Sequence, residues 1–322
     1  MKILVFGAGV IGTTYAWQLS EAGHDVSLLV RKQRMIRYSH SGVTISCTDM
    51  RGKKKEYVQT VFRPQTIDRL DPKSGFDLII VAVKNFQLND VVPYISQFSG
   101  NAHILFLGNL WNEFSLIEKH LPKGRFFFGF PDMAGGGRTD NSINCYLFRK
   151  SHTLLGEPNG KMTSRLKTVI SLFESSGLQP KPVSNIVPWI KAHYIRPGAT
   201  LGAVIKAGGA RAFAENKKVI SQLVKTMKEG FRVCQKAGTN PRKISPYSMF
   251  FLPLPISTWL LKKSFTREKQ AVIDAHMKHG FDEMKKQYLD ILHDGKKYGI
   301  EMPYWKSFEK YIQDAEGKQG HF

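Results

Sequence analysis

The sequence predicts an α/β chain, with a doubly wound, mostly parallel sheet in its first half and an all-helical second half. Three observations carry that expectation. Residues 2–31 run strand, glycine turn, helix, strand; short apolar runs alternate with helical periodicities to about residue 185; and from Ile186 onward only helical periodicities remain. Alternation of strand and helix builds a parallel sheet covered by helices. The expected boundary divides the chain into residues 1–185 and residues 186–322.

The opening βαβ unit is the most informative stretch. Lys2 to Phe6 is a short apolar run that suits a buried strand, and it breaks at Gly7. Gly7, Gly9 and Gly12 have the G-x-G-x-x-G spacing of a Rossmann-type dinucleotide site, in the strand–turn–helix context that gives the motif meaning. Gly7 permits the tight turn, Gly9 lets backbone approach a pyrophosphate, and Gly12 lets helix and strand pack closely. The helix that follows has Ile11, Tyr15, Ala16 and Leu19 on one face and stops at Gly23. Its first N–H groups and partial positive charge suit an anion, so Val10 and Ile11 join the three glycines as cofactor-binding positions. A second strand, Asp25 to Val30, leads into Arg31-Lys32-Gln33-Arg34. An NAD site places a carboxylate here, and an arginine accommodates the 2′-phosphate of NADP. With Arg31 and no carboxylate, NADP(H) is the expected cofactor.

Later elements follow in order. Gly42 to Cys47 and Glu56 to Phe62 read as a hairpin with a basic tip at Lys53, Lys54 and Lys55. Phe76 to Val83 is nearly continuous in apolar residues, as a strand buried on both faces should be. A helix over 91–98, a strand over 102–107, a helix over 111–120 and a strand over 125–130 continue the alternation. Residues 131–144 loosen into a flexible turn around Gly135, Gly136 and Gly137, the favoured reading over an anion cradle beside Arg138. A strand over 154–157, a helix over 164–176 and an extended piece over 180–183 close the half. The helical half has a largely apolar segment over 187–207 loosened by Pro197, Gly198 and Gly202, an amphipathic one over 217–237 and a long charged one over 267–298.

Composition narrows the class. The 322 residues suffice for two domains with buried cores, and 42% hydrophobic with 23% charged residues is ordinary for a globular protein. The net charge of +21 is not, but the cations are scattered and no nucleic-acid motif accompanies them, so no nucleic acid is expected as a partner. Cys47, Cys145 and Cys234 are sparse and form no CxxC pair, which fits a reducing compartment. The chain enters its first strand within two residues of Met1, and the apolar stretch from Met249 to Leu261 is interrupted by Pro253 and Pro255. No membrane partner and a cytoplasmic location are expected.

Candidate chemistry lies at strand ends, where open α/β sheets bind ligands. Lys84 ends FDLIIVAVK and Asn109 follows ILFLG; each is either a solvated strand end or a group that meets phosphate, ribose or a carbonyl. Lys191, in VPWIKAHYI, is either a desolvated lysine able to donate a proton or one that snorkels to the surface. His276, His279 and Glu283 share a face by spacing, but three ligands on one helix seldom converge, and no metal is expected.

On these residues the chain resembles the ketopantoate reductase (2-dehydropantoate 2-reductase) family over nearly its whole length. GAGVIG with Arg31, VKNFQ with Lys84 and the Asn109 position match the family's cofactor half. Lys191 matches its catalytic lysine, and counting back from YGIEMPYW places its acidic position on Glu283. The resemblance implies hydride transfer from NADPH to the ketone of a 2-oxo acid, as in pantothenate biosynthesis. It implies Lys191 as general acid, Glu283 as a group that binds a substrate hydroxyl or positions the lysine, and Lys84 and Asn109 as orienting groups. A small 2-oxo acid is thus the expected partner, with a homodimer contact expected in the helical domain. The chain departs from the family pattern at Ile195, Ala199, Glu268 and Ala271, where the family has polar substrate-binding residues of its own. Other readings are a dehydrogenase for an unrelated hydroxy acid or opine, and a non-catalytic NADP(H) sensor.

Overall fold

Apolar runs with β-branched content become strands wherever both faces are covered, and the first unit shows this in the computed structural model, which describes residues 1–139 and 141–319. The chain divides into two compact units, Met1–Val187 and a second that begins at Pro188.

The first unit opens with β1 (Lys2–Phe6), α1 (Val10–Glu21), β2 (Asp25–Leu29) and α2 (Lys32–Ser41). Then come β3 (Val43–Asp49), β4 (Glu56–Phe62), β5 (Gln65–Ile67) and β6 (Leu78–Val81). Next are α3 (Leu88–Phe98), β7 (His103–Leu107), α4 (Glu113–His120) and β8 (Phe126–Pro131). The unit finishes with β9 (Ala134–Arg138), β10 (Ser142–Leu147), β11 (Thr153–Gly156), α5 (Ser164–Ser175) and β12 (Pro180–Pro182). Eight strands form one sheet in the order β12-β11-β8-β7-β6-β1-β2-β5. Its centre, β8-β7-β6-β1-β2, is parallel throughout. Every residue of β6 is buried, as its LIIV sequence requires. The chain leaves β1 toward β2 on one side and returns to β6 on the other, so the direction of winding reverses at β1. A crevice for a ligand belongs at such a reversal, outside the carboxyl ends of the strands.

A four-stranded second sheet, β4-β3-β10-β9, packs with β9 and β10 against α1. The expected hairpin is its β3–β4 pair. The flexible turn expected around the three glycines is instead strand β9, antiparallel to β10. Gly136 shows why: its φ is +149° and a Cβ there would lie 2.0 Å from the Asn144 carbonyl oxygen. The glycines are a condition of close strand approach, not of looseness.

The second unit contains α6 (Ile186–Ala207, entering it at Pro188), α7 (Ala210–Glu215) and α8 (Lys217–Lys236). After these come α9 (Leu254–Lys263), α10 (Arg267–His279), α11 (Phe281–Lys297), α12 (Pro303–Lys306) and α13 (Glu309–Gln319). Helix α6 is continuous through Pro197, Gly198 and Gly202, where the sequence predicts loosening. A Cβ on Gly198 would meet the Tyr288 nitrogen at 2.8 Å, and one on Gly202 would meet Phe308 at 2.3 Å. Both glycines are points where neighbouring chain presses onto the helix. The single long helix expected over 267–298 is broken at Gly280. The Gly280 N–H caps α10 through the His276 carbonyl at 2.7 Å, and α11 restarts with a buried stripe of Phe281, Met284, Tyr288 and Ile291. No helix among the described residues is long and apolar enough to cross a membrane.

Candidate active site

The glycine turn has the geometry its spacing implies. Gly7 has φ +117°, and a Cβ on it would collide with the Ala82 carbonyl oxygen at 2.5 Å. A Cβ on Gly12 would lie 1.8 Å from the Gly7 carbonyl oxygen, so helix and turn approach only because that side chain is absent. A Cβ on Gly9 would meet nothing within 4 Å, which leaves open space where backbone must approach a pyrophosphate. Gly9 is also the N-cap of α1 and supplies no side-chain acceptor to it, and the first turn carries no acidic residue. The N–H groups of Val10 and Ile11 thus lead a helix whose positive end suits an anion.

Next to this turn is a knot of arginines. Arg31 is the N-cap of α2, and Arg34 and Arg37 follow at helical spacing. Arg138 reaches in from β9, donating one guanidinium N–H to the Ala8 carbonyl inside the turn and another to the Tyr38 hydroxyl at 2.7 Å. Burial, and then the charges of Arg138, Arg31 and Arg37, hold the Arg34 guanidinium below its ordinary value, with only the Tyr38 phenol acting the other way. Four like charges drawn together in this way fit an anion carrying two negative charges, as a 2′-phosphate does. Arg31 and Arg34 were visible in sequence. Arg37 and Tyr38 were not, because the helical register of α2 brings them in, and Arg138, which entered only through the disfavoured anion-cradle reading, is brought in by the pairing of β9.

The other two positions of the first unit lie along the same edge. Lys84 follows β6, which neighbours β1 in the sheet, and Asn109 follows β7, the next strand out. Lys84 begins a single helical turn in which its N–H donates to the Gln87 side chain at 3.1 Å, and its ammonium lies 5.7 Å from the Phe86 ring centre. The carboxyl ends of β7, β6, β1 and β2 therefore present Asn109, Lys84, the glycine turn and Arg31 in a row.

In the second unit Lys191 lies in the first turns of α6 and is half-buried. Its charge acts on the thiol of Cys234 in α8, which burial pushes up to about 12. That end of α6 is held firmly: Trp189 stacks on His193 at 5.2 Å, donates to the Ser245 carbonyl at 3.1 Å, and His193 shares a 2.7 Å hydrogen bond with Tyr247. Glu283 is half-buried in the first turn of α11. Helices α6 and α11 pack antiparallel, with Tyr194 donating to Asp290 at 2.6 Å and Gly198 against Tyr288. One turn beyond Glu283 is Gln287, fully buried, with neither its amide nitrogen nor its carbonyl oxygen hydrogen-bonded among the described residues. A buried amide with both ends unmet is expensive, which makes Gln287 a candidate that sequence reading did not single out. His276 and His279 end α10 while Glu283 starts α11, so the single helical face imagined for them does not exist. Among the described residues no group of three or more His, Cys, Asp or Glu side chains is placed to hold a metal ion.

Residues 3–159 match the family model for ketopantoate reductase PanE/ApbA. The first unit carries the domain of the ketopantoate reductase family. It is 26% identical over 264 residues to a 2-dehydropantoate 2-reductase of Pyrococcus abyssi, covering 79% of this chain and 80% of that one. The corresponding enzyme of Aquifex aeolicus is 22% identical over 327 residues, covering 98% and 97%. Among solved structures, D-mandelate dehydrogenase in a ternary complex with NADH and anilino(oxo)acetate superposes with a TM-score of 0.77 at 18% identity, over 99% of both chains. Against the family pattern, this ketopantoate reductase relative carries Ile195 and Ala199 as fully buried core residues. Ile195 packs onto Gly230, whose added Cβ would lie 2.4 Å from it. These two α6 positions serve packing here, while an unsatisfied polar group appears on α11 instead.

Proposed function

We propose that the chain reduces a 2-oxo acid with NADPH. The observation that carries this most strongly is the row of Asn109, Lys84, the glycine turn and the four-arginine knot along one edge of adjacent strands. The reduced nicotinamide supplies the hydride. The glycine turn and the start of α1 hold the pyrophosphate, and Arg31 with Arg34 and Arg138 takes the 2′-phosphate. Lys84 and Asn109 orient the groups nearest the reacting carbonyl. Lys191 donates its Nζ proton to the carbonyl oxygen as hydride reaches the carbon, which stabilises the charge that develops only on the way to the transition state. Glu283 binds a substrate hydroxyl or positions the lysine.

Ketopantoate is the first substrate to try, and because Ile195, Ala199 and Ala271 stand where the family has polar substrate-binding residues, other 2-oxo acids are tried beside it. The likeness to D-mandelate dehydrogenase, whose solved complex holds anilino(oxo)acetate, supports testing aryl and branched oxo acids alongside it. Titration with NADPH and NADH while following coenzyme fluorescence tests the binding half. Absorbance of the reduced coenzyme during a screen of 2-oxo acids tests the chemistry, and tight binding without turnover on any of them would favour a sensor. Lys191→Ala should lower turnover by roughly 10²–10⁴-fold with coenzyme affinity nearly unchanged. Equal loss of both would assign the lysine a structural role.

A further inference from the structure

Helix α9 is turned inside out relative to an ordinary surface helix. Its buried side carries Ser257 and Thr258 beside Leu261, whereas its outward side carries Ile256, 47% exposed, and Trp259, 59% exposed. Leu252, just before the helix, is 41% exposed. The inward hydroxyls are satisfied by backbone: Ser257 donates to the Met249 carbonyl at 2.8 Å, and Thr258 to the Leu254 carbonyl at 2.7 Å. Positions 252, 256, 259 and 263 therefore form an outward stripe of Leu, Ile, Trp and Lys. Apolar groups arranged this way on an exposed helix mark a contact surface.

The charges around the stripe say what it contacts. Lys263 lies 5.2 Å from the Trp259 ring centre, Lys228 reaches the Leu252 carbonyl at 3.3 Å, and Arg242 covers the Phe251 ring at 4.4 Å. Lys262 and Lys243 are exposed beside them in sequence. No Asp or Glu occurs between Glu229 and Glu268, on a chain whose net charge is +21. A second copy of the chain would press one ring of cations against another, so self-association through this face opposes its own charge. An anionic lipid surface is complementary on both counts: phosphates meet the lysines and arginine while Leu252, Ile256 and Trp259 enter the headgroup boundary.

We propose that α9 and the turn before it form a peripheral docking surface for anionic membranes. This goes beyond the reductase reading and is independent of it. It departs from the sequence expectation of no membrane partner.

The test is co-sedimentation of the full chain with phosphatidylcholine vesicles that contain or lack phosphatidylserine. The chain should pellet with the anionic vesicles alone, and release should follow as salt rises from about 0.1 M to about 0.5 M. Ile256→Glu with Trp259→Glu, and separately Lys262→Glu with Lys263→Glu, should each weaken partitioning by roughly ten-fold or more, given about five-fold per lysine near an anionic surface. Unchanged circular dichroism shows that these surface variants fold, and Trp259→Ala repeats the apolar test should the glutamate pair fail to. Failure to pellet, or pelleting indifferent to Ile256 and Trp259, overturns the proposal. So does a concentration-dependent dimer that Trp259→Glu splits in the absence of lipid, which would assign the face to a second copy.

Discussion

Arg138 is a residue whose importance depends on two contacts at once. It spends one N–H on the Ala8 carbonyl inside the glycine turn and another on the Tyr38 hydroxyl, and its charge bears on Arg34. Charge-assisted bonds of this kind are each stronger than neutral ones. Arg34→Ala should therefore raise the dissociation constant for NADPH by roughly ten-fold or more while leaving NADH within a few-fold, since only the former carries the extra phosphate. Arg138→Ala should weaken both coenzymes, because the turn loses its clasp as well, and parallel fluorescence titrations separate the two patterns. Gln287 gives a different kind of expectation. Replacing it with methionine of similar volume removes a buried amide that has no hydrogen-bond partner among the described residues, and should raise stability by about 1–3 kcal/mol in urea unfolding. If the amide is retained for the oxo acid, the same variant raises KM, the exchange of function for stability expected at ligand sites.

Elements explain which features could be read from the chain alone. The β1–turn–α1–β2 unit was legible because three glycines at fixed spacing have a mechanical meaning that few other arrangements share. Buried runs such as β6 and β7 were legible from composition, with ends displaced by only a few residues. Helix α2 was not, since its exposed, arginine-rich sequence buries only Tyr38 and carries little apolar periodicity. Strand β9 was misread because glycine weakens a strand in general and is required here in particular. Gly136→Val should expose the point: the added carbons meet Asn144 at an impossible distance, so β9 and β10 must part. We expect loss of several kcal/mol or insoluble protein, measured by urea unfolding and by solubility. At the helical end, one periodic stretch hid two helices because Gly280 interrupts a charge pattern that otherwise looks continuous.

For the molecule as a whole, pH sensitivity should come from inside the helical unit. His193 is buried against Trp189 and Tyr247, and burial, then Arg196 and His276, hold its imidazole well below the usual value. The unfolded chain takes up this proton near pH 6.5 and the folded one does not. Its share of stability is therefore complete above about pH 6.5 and is lost as pH falls below it, at up to about 1.4 kcal/mol per pH unit. Urea midpoints at pH 7.5, 6.5 and 5.5 (chosen to be about one unit apart) should fall more steeply for the natural chain than for His193→Gln. The reach of Arg138 into the glycine turn has a further implication for how such a fold can be cut and recombined. The fingerprint at residues 7–12 is contiguous, yet the cation that braces it comes from a strand more than a hundred positions later. A fragment carrying only the opening unit would inherit the signature without its brace. Grafting that unit onto another scaffold should yield a weak nucleotide binder until an equivalent arginine is supplied from outside.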